Sequence, residues 1–344
     1  MMNVQTAIPL FHVVPGMVAK NLLADLRGQT IDIVENTYLT HLRGETINPD
    51  SYFLQFPHEP ANRIIALPAA IASRKGGQDA VGIKWIASYP DNIKSGIPRA
   101  SAVLILNDPK TGYPLAVLEG ALISAVRTAA SAVLGARWLN GQRREVSRLS
   151  FVGGGVIARN ILETFAADGW QPSGVDVHDL NPASAEAMAA FACQNGFQDV
   201  RVVPLREAVA ADMVVFATNA STPYVTGNGV FRPGQIVLNI SLRDLSPETI
   251  AASYNFFDDF EHCLKANTSP HLAEKKYQNR DFITGNLASL IRGEISLSHD
   301  KPLIYSPFGM GILDLALGKL LLSMAIETGQ AIAIPTFFGE THRW

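Results

Sequence analysis

Three consecutive glycines, Gly153 to Gly155, stand between an apolar stretch and a segment with helical periodicity, and Ala158 completes the pattern G-x-G-x-x-A. Glycine suits such a turn because the backbone must bend sharply and approach a pyrophosphate, whose charge then lies at the N-terminus of the next helix. The pattern is weak alone, but its place between a strand and a helix strengthens it. It predicts a dinucleotide-binding turn that includes Val156 and Ile157.

An acidic residue is expected at the end of the next strand, where its carboxylate can bind the ribose hydroxyls of the dinucleotide. Asp179 closes the stretch GVDVHD, 179 − 153 = 26 residues after the first glycine. A carboxylate at this place repels a 2′-phosphate, which favours NAD over NADP. The alternative is a purely structural turn in which Asp179 caps a strand end.

Polar residues follow two further apolar stretches of the same half of the chain. Thr218 and Asn219 come after DMVVFA, and Ser241 comes shortly after QIV. Ligands bind at the carboxyl ends of the strands in open α/β sheets. We therefore predict that these three residues contact the cofactor.

The elements that position these residues alternate between strand and helix, which is typical of βαβ units and a parallel sheet. We predict an α/β protein in which residues 146–317 form a Rossmann dinucleotide-binding domain. Before it lie short strands rich in β-branched residues and the long helix ALISAVRTAASAVLGARWLN. They predict an α+β domain over residues 1–145, completed by a C-terminal helix within 318–344.

Composition limits the classes of function. The 344 residues carry 28 basic and 31 acidic side chains, so no overall charge favours nucleic acid or an anionic membrane. Cys193 and Cys263 fit no disulfide framework or zinc motif, and the histidines are scattered, so no metal is predicted. The absence of a secretion signal or membrane-spanning stretch predicts a cytoplasmic protein.

Several motifs of the first half resemble the ornithine cyclodeaminase/mu-crystallin family: GIK at 82–84, GYP at 112–114 and, above all, RTAA at 127–130. The resemblance extends from about Arg63 to the terminal helix. Stretches such as RIIALP, GIKWIASYPDN and ISAVRTAAS resemble most closely the dehydrogenases that make 2,3-diaminopropionate for siderophores and peptide antibiotics. The resemblance implies a Rossmann domain, a dimer-forming substrate domain and a homodimer.

The same resemblance assigns roles to individual residues. Lys84 and Arg127 match the residues that bind the substrate carboxylate, and a guanidinium on the apolar helix around Arg127 is costly without an anionic partner. Asp244 matches the catalytic aspartate, which with Lys84 forms the predicted catalytic pair, and Gly309 matches a glycine near the nicotinamide. The alternatives are a structural ion pair for Arg127, a solvated strand end for Lys84, a helix cap for Asp244 and a plain turn for Gly309.

Two departures argue against ornithine cyclisation, because Ile65 replaces a glutamate of the cyclodeaminases and Leu54 lies near the position of an arginine. Arg63 and Arg99 lie in their neighbourhood, which suits a substrate with more than one carboxylate. Either arginine is alternatively a surface residue.

The resemblance therefore implies NAD-dependent oxidation of N-(2-amino-2-carboxyethyl)-L-glutamate to 2-oxoglutarate and L-2,3-diaminopropionate. The alternatives are an ornithine cyclodeaminase-type lyase, a ketimine or imino-acid reductase, and a non-catalytic crystallin-like protein that binds NAD(P).

Overall fold

The computed structural model describes residues 8–72 and 80–342. The first part of the chain contains β1 (Phe11–Val14), α1 (Gly16–Leu26), α2 (Gln29–Leu42), β2 (Thr46–Ile47), β3 (Tyr52–Gln55), β4 (Arg63–Ile71), β5 (Ala80–Ser88), β6 (Ala100–Asn107), β7 (Pro114–Glu119) and α3 (Gly120–Leu139). The second part contains β8 (Glu145–Val152), α4 (Val156–Ala167), β9 (Gln171–His178), α5 (Pro182–Gln194), β10 (Val200–Val202), α6 (Leu205–Ala208), β11 (Met213–Phe216), β12 (Ile236–Asn239), α7 (Pro247–Ala251), β13 (Tyr254–Phe257), α8 (Phe260–Cys263), α9 (Ser269–Tyr277), β14 (Ile283–Asn286), α10 (Leu287–Ile291), β15 (Leu303–Tyr305), α11 (Gly311–Glu327) and β16 (Ile332–Ile334).

The first compact unit combines residues 1–26, 43–124 and 310–344. Its sheet has the order β16-β1-β7-β6-β5-β4-β2, with β3 also paired to β4. Strands β4 to β7 are antiparallel, whereas β1 is parallel to β7, so the sheet is mixed. Helix α11 packs on one face, where a Cβ on Gly318 would lie 2.1 Å from Leu104 Cδ2. Only glycine lets the helix approach the sheet so closely at this point.

The second unit combines residues 27–42 and 125–309. Its sheet has the order β10-β9-β8-β11-β12-β15-β13-β14, and every pair is parallel. The run β10-β9-β8-β11-β12 is the strand order of a dinucleotide-binding fold, in which the chain reverses direction of travel between β8 and β11. Strands β11 and β12 are buried along their whole length, as expected for parallel strands covered on both faces. The predicted Rossmann fold is confirmed.

The helix α3 and the strand–helix alternation after it agree with the sequence pattern. The two compact units are interleaved in the sequence, since α2 belongs to the second unit and α3 begins in the first. The chain therefore passes between the two units more than once, whereas the sequence analysis predicted a single boundary near residue 145. The last helix ends at Glu327, and β16 occupies part of the segment expected to be helical. It ends there because Gly329, at φ +68°, adopts the left-handed conformation that terminates helices.

Within 8–72 and 80–342, no helix has both the length and the hydrophobicity of a membrane span. The same part of the chain brings together no group of three or more His, Cys, Asp or Glu side chains suited to a metal ion.

Candidate active site

The glycine turn after β8 leaves room at one position only. Gly153 has φ +102°, and a Cβ there would lie 2.5 Å from the carbonyl oxygen of Ala217. A Cβ on Gly154 would lie 2.7 Å from the carbonyl oxygen of Ser184, whereas no heavy atom lies within 4 Å of one on Gly155. The first two glycines are therefore required by packing, and the third faces open space at the start of α4. Val156, the first residue of that helix, is 61% exposed, and the free N–H groups of the first turn suit a pyrophosphate.

Asp179 lies directly after β9 and contacts this turn. Its Oδ2 accepts a hydrogen bond of 2.7 Å from the N–H of Gly154, and its Oδ1 accepts one of 2.8 Å from the N–H of Asn181. Both bonds come from the backbone, so the carboxylate is fixed while each oxygen keeps a lone pair for a ribose hydroxyl. Asp179 thus does cap the chain locally, and this role is compatible with binding ribose.

Asp244 is fully buried beside the end of β11. Its Oδ1 accepts hydrogen bonds from Thr218 Oγ1 at 2.5 Å and from Tyr224 Oη at 2.7 Å. Its Oδ2 has no hydrogen-bond partner within the described residues. The alternative that Asp244 caps a helix is wrong, because the N-cap of α7 is Ser246, whose side chain accepts from the N–H of Thr249.

Other polar atoms at the carboxyl ends of the parallel strands also lack partners in the part of the chain that the structure describes. They are Asn239 Oδ1 and Ser241 Oγ, on residues that are 2% and 8% exposed. Asn239 Nδ2 donates to Ser306 Oγ at 3.0 Å. This bond fixes the orientation of the amide, so Oδ1 remains available to accept a hydrogen bond from a ligand. Unpaired buried polar atoms are costly, and a bound polar ligand would satisfy them. These residues therefore fit a dinucleotide, as does Asn219, which is exposed at the end of β11.

Arg127 is buried at the carboxyl edge of the same parallel sheet. It is 8% exposed and lies against the turn that follows β15. Gly309 in that turn has φ +92°, and a Cβ there would lie 2.3 Å from Arg127 Nη1. The turn is held by Asp258, whose Oδ1 and Oδ2 accept from the N–H groups of Phe308 and Gly309 at 3.0 and 2.7 Å. Gly309 is thus more than a plain turn, because only a residue without a side chain fits beside this guanidinium.

Lys84 belongs to the first unit and is 2% exposed. Its Nζ donates to Asp314 Oδ2 at 2.6 Å and to Ser124 Oγ at 3.1 Å. The alternative of a solvated strand end is wrong. Asp314, on α11, is fully buried, so the ammonium has a carboxylate partner before any ligand binds. Ser124 lies on α3 one turn before Arg127, and residues three apart share a face of a helix.

Arg63 and Arg99 lie at the same end of the first unit's sheet. Arg63 on β4 is directly opposite Ser88 on β5, and Arg99 Nη1 donates to Ser88 Oγ at 2.6 Å. Partial burial lowers the pKa of Arg99. Lys84 lies on the same face of β5 as Ser88, because the residues are an even number apart, and about 13 Å from it along the strand. The face therefore carries two separate cationic places, one at Lys84 and one at Arg63 and Arg99.

Ile65, at the position where the resemblance implies a glutamate in the cyclodeaminases, lies on this face between them. It is paired with Ile86, so the position is apolar on both strands.

The sequence did not point to Asp314, Tyr224 or Asp258. Asp314 carried one signal, since it is the lone acid in the apolar stretch GILDLAL, and Asp258 follows the apolar strand YNFF. Nothing local marks Tyr224, which reaches Asp244 through a loop.

The comparisons with known proteins agree with this geometry. The model of the ornithine cyclodeaminase/mu-crystallin family matches residues 16–328. N-((2S)-2-amino-2-carboxyethyl)-L-glutamate dehydrogenase of Staphylococcus aureus is 30% identical over 311 residues, which cover 86% of this chain and 89% of that protein.

Two solved structures are similar over almost the whole chain. The Δ1-pyrroline-2-carboxylate reductase of Thermococcus litoralis, in complex with NADH and L-proline, has a TM-score of 0.84 at 25% identity. The match covers 94% of this chain and 100% of the reductase chain. An archaeal alanine dehydrogenase dimer with bound NAD has a TM-score of 0.82 at 23% identity. The match covers 96% of this chain and 99% of the dehydrogenase chain. At that identity the second shows the fold alone.

Proposed function

Because the chain belongs to the ornithine cyclodeaminase/mu-crystallin family, we propose that it oxidises N-(2-amino-2-carboxyethyl)-L-glutamate to 2-oxoglutarate and L-2,3-diaminopropionate. At the coarser level it is an NAD-dependent enzyme of amino-acid metabolism, as its relatives are. The proposed reaction removes a hydride from the glutamate Cα, which NAD accepts, and a proton from the attached nitrogen, and water then cleaves the resulting C=N bond. The observation that carries the proposal is the buried guanidinium of Arg127 at the carboxyl edge of the Rossmann sheet.

When bound, NAD supplies the two-electron oxidant for the carbon–nitrogen bond. Gly153, Gly155 and the first N–H groups of α4, at Val156 and Ile157, would hold its pyrophosphate. Asp179 would hold the adenosine ribose, and its negative charge disfavours a 2′-phosphate. Further along the sheet edge, Thr218, Asn219, Ser241 and Gly309 would contact the rest of the dinucleotide.

The substrate carries three carboxylates, and the chain offers several cationic groups to bind them. Arg127 can bind one in bidentate geometry. Lys84 contributes a fixed hydrogen-bond donor more than net charge, because Asp314 already balances its ammonium. Arg63 and Arg99, at the other cationic place of the β4–β5 face, would bind a further carboxylate.

Asp244 is proposed to handle protons during the reaction. Its Oδ2 is a buried carboxylate oxygen without a partner in the described residues, and in this proposal it accepts a proton from the substrate amine or from the water that attacks the C=N bond. Lys84 would orient the reacting carbon through the neighbouring carboxylate. Neither role requires a metal ion.

The direct test mixes the purified protein with NAD and N-(2-amino-2-carboxyethyl)-L-glutamate. We expect absorbance at 340 nm to rise, with one 2-oxoglutarate formed for each NADH. Arg127→Met should lose this activity while its affinity for NAD stays intact, and Arg43→Met, at an exposed arginine that pairs with Glu45, serves as the control. No NADH with this substrate would contradict the proposal.

The same assay separates the other candidate functions. A cyclodeaminase converts ornithine and releases ammonia without net NADH, and the apolar Ile65 position argues against it. A reductase consumes NADH when offered a cyclic imine, an activity that the name of the Thermococcus litoralis relative describes. A protein that only binds the dinucleotide shows neither reaction.

We further propose that the chain forms a homodimer in the cytoplasm through the face of the first unit's sheet opposite α11. Cross-strand neighbours Tyr52, Ala66, Trp85 and Val103 form a row on that face, in which Trp85 is 42% exposed and Tyr52 73%. A contiguous exposed apolar row marks an interaction surface. Trp85→Glu should convert the dimer into a monomer in light scattering, whereas Leu180→Glu, at a 95% exposed leucine, should not.

A further inference from the structure

Asp244 is held asymmetrically by its neighbours. Both donors to its carboxylate, Thr218 Oγ1 and Tyr224 Oη, bind the same oxygen, Oδ1, at 2.5 and 2.7 Å. Oδ2 is buried and has no partner within the described residues. The two bonds therefore fix the rotation of the carboxylate and leave one defined oxygen for chemistry.

Tyr224 is anchored to the same residue by its backbone. The N–H groups of Tyr224 and Val225 both donate to the carbonyl oxygen of Asp244, at 3.1 and 2.9 Å. The N–H of Ser246 in turn donates to the carbonyl oxygen of Val225 at 2.9 Å. Because main chain and side chain reach Asp244 together, the phenol cannot leave Oδ1 without breaking several bonds or changing its rotamer.

The phenol is a donor and not a competing base. Burial, followed by the negative charge of Asp244, raises the pKa of Tyr224 well above its usual value. Tyr224 therefore holds its proton more tightly than an ordinary tyrosine, and its single O–H is committed to the carboxylate.

We propose that Tyr224 is a positioning residue for the reaction, which holds the Asp244 carboxylate by Oδ1 so that Oδ2 is presented to the reacting amine or water. The inference rests on the proposed function, because it takes Asp244 to be the group that handles protons. Removal of a hydrogen bond to a carboxylate disfavours its charged form, so loss of the Tyr224 hydroxyl should change the pH dependence of the reaction.

Asp179 and Arg243 are charged residues close to this pair in space or in the chain. Asp179 is near enough for its charge to contribute to the raised pKa of Tyr224. Arg243, next to Asp244 in the chain, directs its guanidinium to the carbonyl oxygens of Ala266 and Asn267. Thr218 is the other donor and does not titrate. The hydrogen bond from Tyr224 is therefore the contact whose removal should change proton transfer most directly.

The test is Tyr224→Phe, which removes one hydroxyl and keeps the ring. The matched control is Tyr254→Phe, which also breaks a tyrosine–aspartate hydrogen bond, from Tyr254 Oη to Asp300 Oδ1 at 3.0 Å. We expect kcat of Tyr224→Phe to fall about 10- to 100-fold, because this factor corresponds to the free energy of a hydrogen bond to a charged group. KM for the amino acid and affinity for NAD should stay at their wild-type values, and the acidic limb of the pH–rate profile should move to higher pH.

The outcomes distinguish this inference from the proposed function. A wild-type pH profile and kcat in Tyr224→Phe overturn the positioning role, as does a loss of NAD affinity that accounts for the lower rate. If the wild-type protein does not oxidise the proposed substrate, crystal structures of the wild type and of Tyr224→Phe still test the positioning role. A rotated or disordered Asp244 carboxylate in Tyr224→Phe supports the positioning role, and an unmoved carboxylate refutes it.

Discussion

Gly309→Ala is the perturbation whose effect the structure fixes most closely. The new Cβ would lie 2.3 Å from Arg127 Nη1, whereas nonbonded carbon and nitrogen atoms need about 3.4 Å, so the guanidinium must move by about 1 Å. A displacement of about 1 Å in a substrate-positioning group can lower the rate about 100-fold. The substitution also places alanine at φ +92°, which costs about 1–2 kcal/mol of stability.

The two effects are separated by a control with the same backbone strain and no clash. Gly169 has φ +76°, and no heavy atom lies within 4 Å of a Cβ built there. Gly169→Ala should lose about 1–2 kcal/mol in urea unfolding and keep its kcat/KM. Gly309→Ala should lose a similar amount of stability and, in addition, about 100-fold in kcat/KM in the NADH assay. Equal kcat/KM in the two variants would refute the contact between Gly309 and Arg127 as a determinant of activity.

Three other predictions follow from individual contacts. Asp314→Asn should lower the free energy of unfolding by about 3–5 kcal/mol in urea titration because it leaves a buried ammonium without its anion, whereas Lys84→Met with Asp314→Leu should recover most of that loss. Asp179→Ser should raise the ratio of kcat/KM for NADP to that for NAD about tenfold or more, since it removes a charge that repels the 2′-phosphate; an unchanged ratio would show that Asp179 serves only the turn. The hydrogen bond from Lys276, before other contacts, lowers the pKa of Glu248 to about 2. Because this folded-state pKa is below the unfolded value, its stabilisation is present above about pH 4.5 and is lost as the pH falls towards 2, so Glu248→Gln should be less stable than wild type at neutral pH and equal to it near pH 2.

The Rossmann half could be predicted from the sequence almost completely. Its signals are local: an apolar strand, three glycines, a helix and an acidic residue at the end of the next strand follow one another, with Asp179 only 26 residues after Gly153. Backbone geometry and helix termini translate such a pattern directly into a binding turn. The family resemblance likewise pointed to Arg127, Lys84 and Asp244, and the structure finds each of them buried.

The sequence by itself determined the kind of fold, the nucleotide turn and the identity of the principal charged residues. Only the tertiary structure decided their partners: Lys84 meets Asp314 across 230 positions of the chain, and Asp244 meets Tyr224 through a loop. Strand register places Arg63 opposite Ser88, the residue that Arg99 contacts. These hydrogen bonds depend on distances defined to a few tenths of an ångström between side chains that are far apart in sequence. The hydrophobic periodicity of the sequence shows which face a side chain is on, but it does not determine such distances.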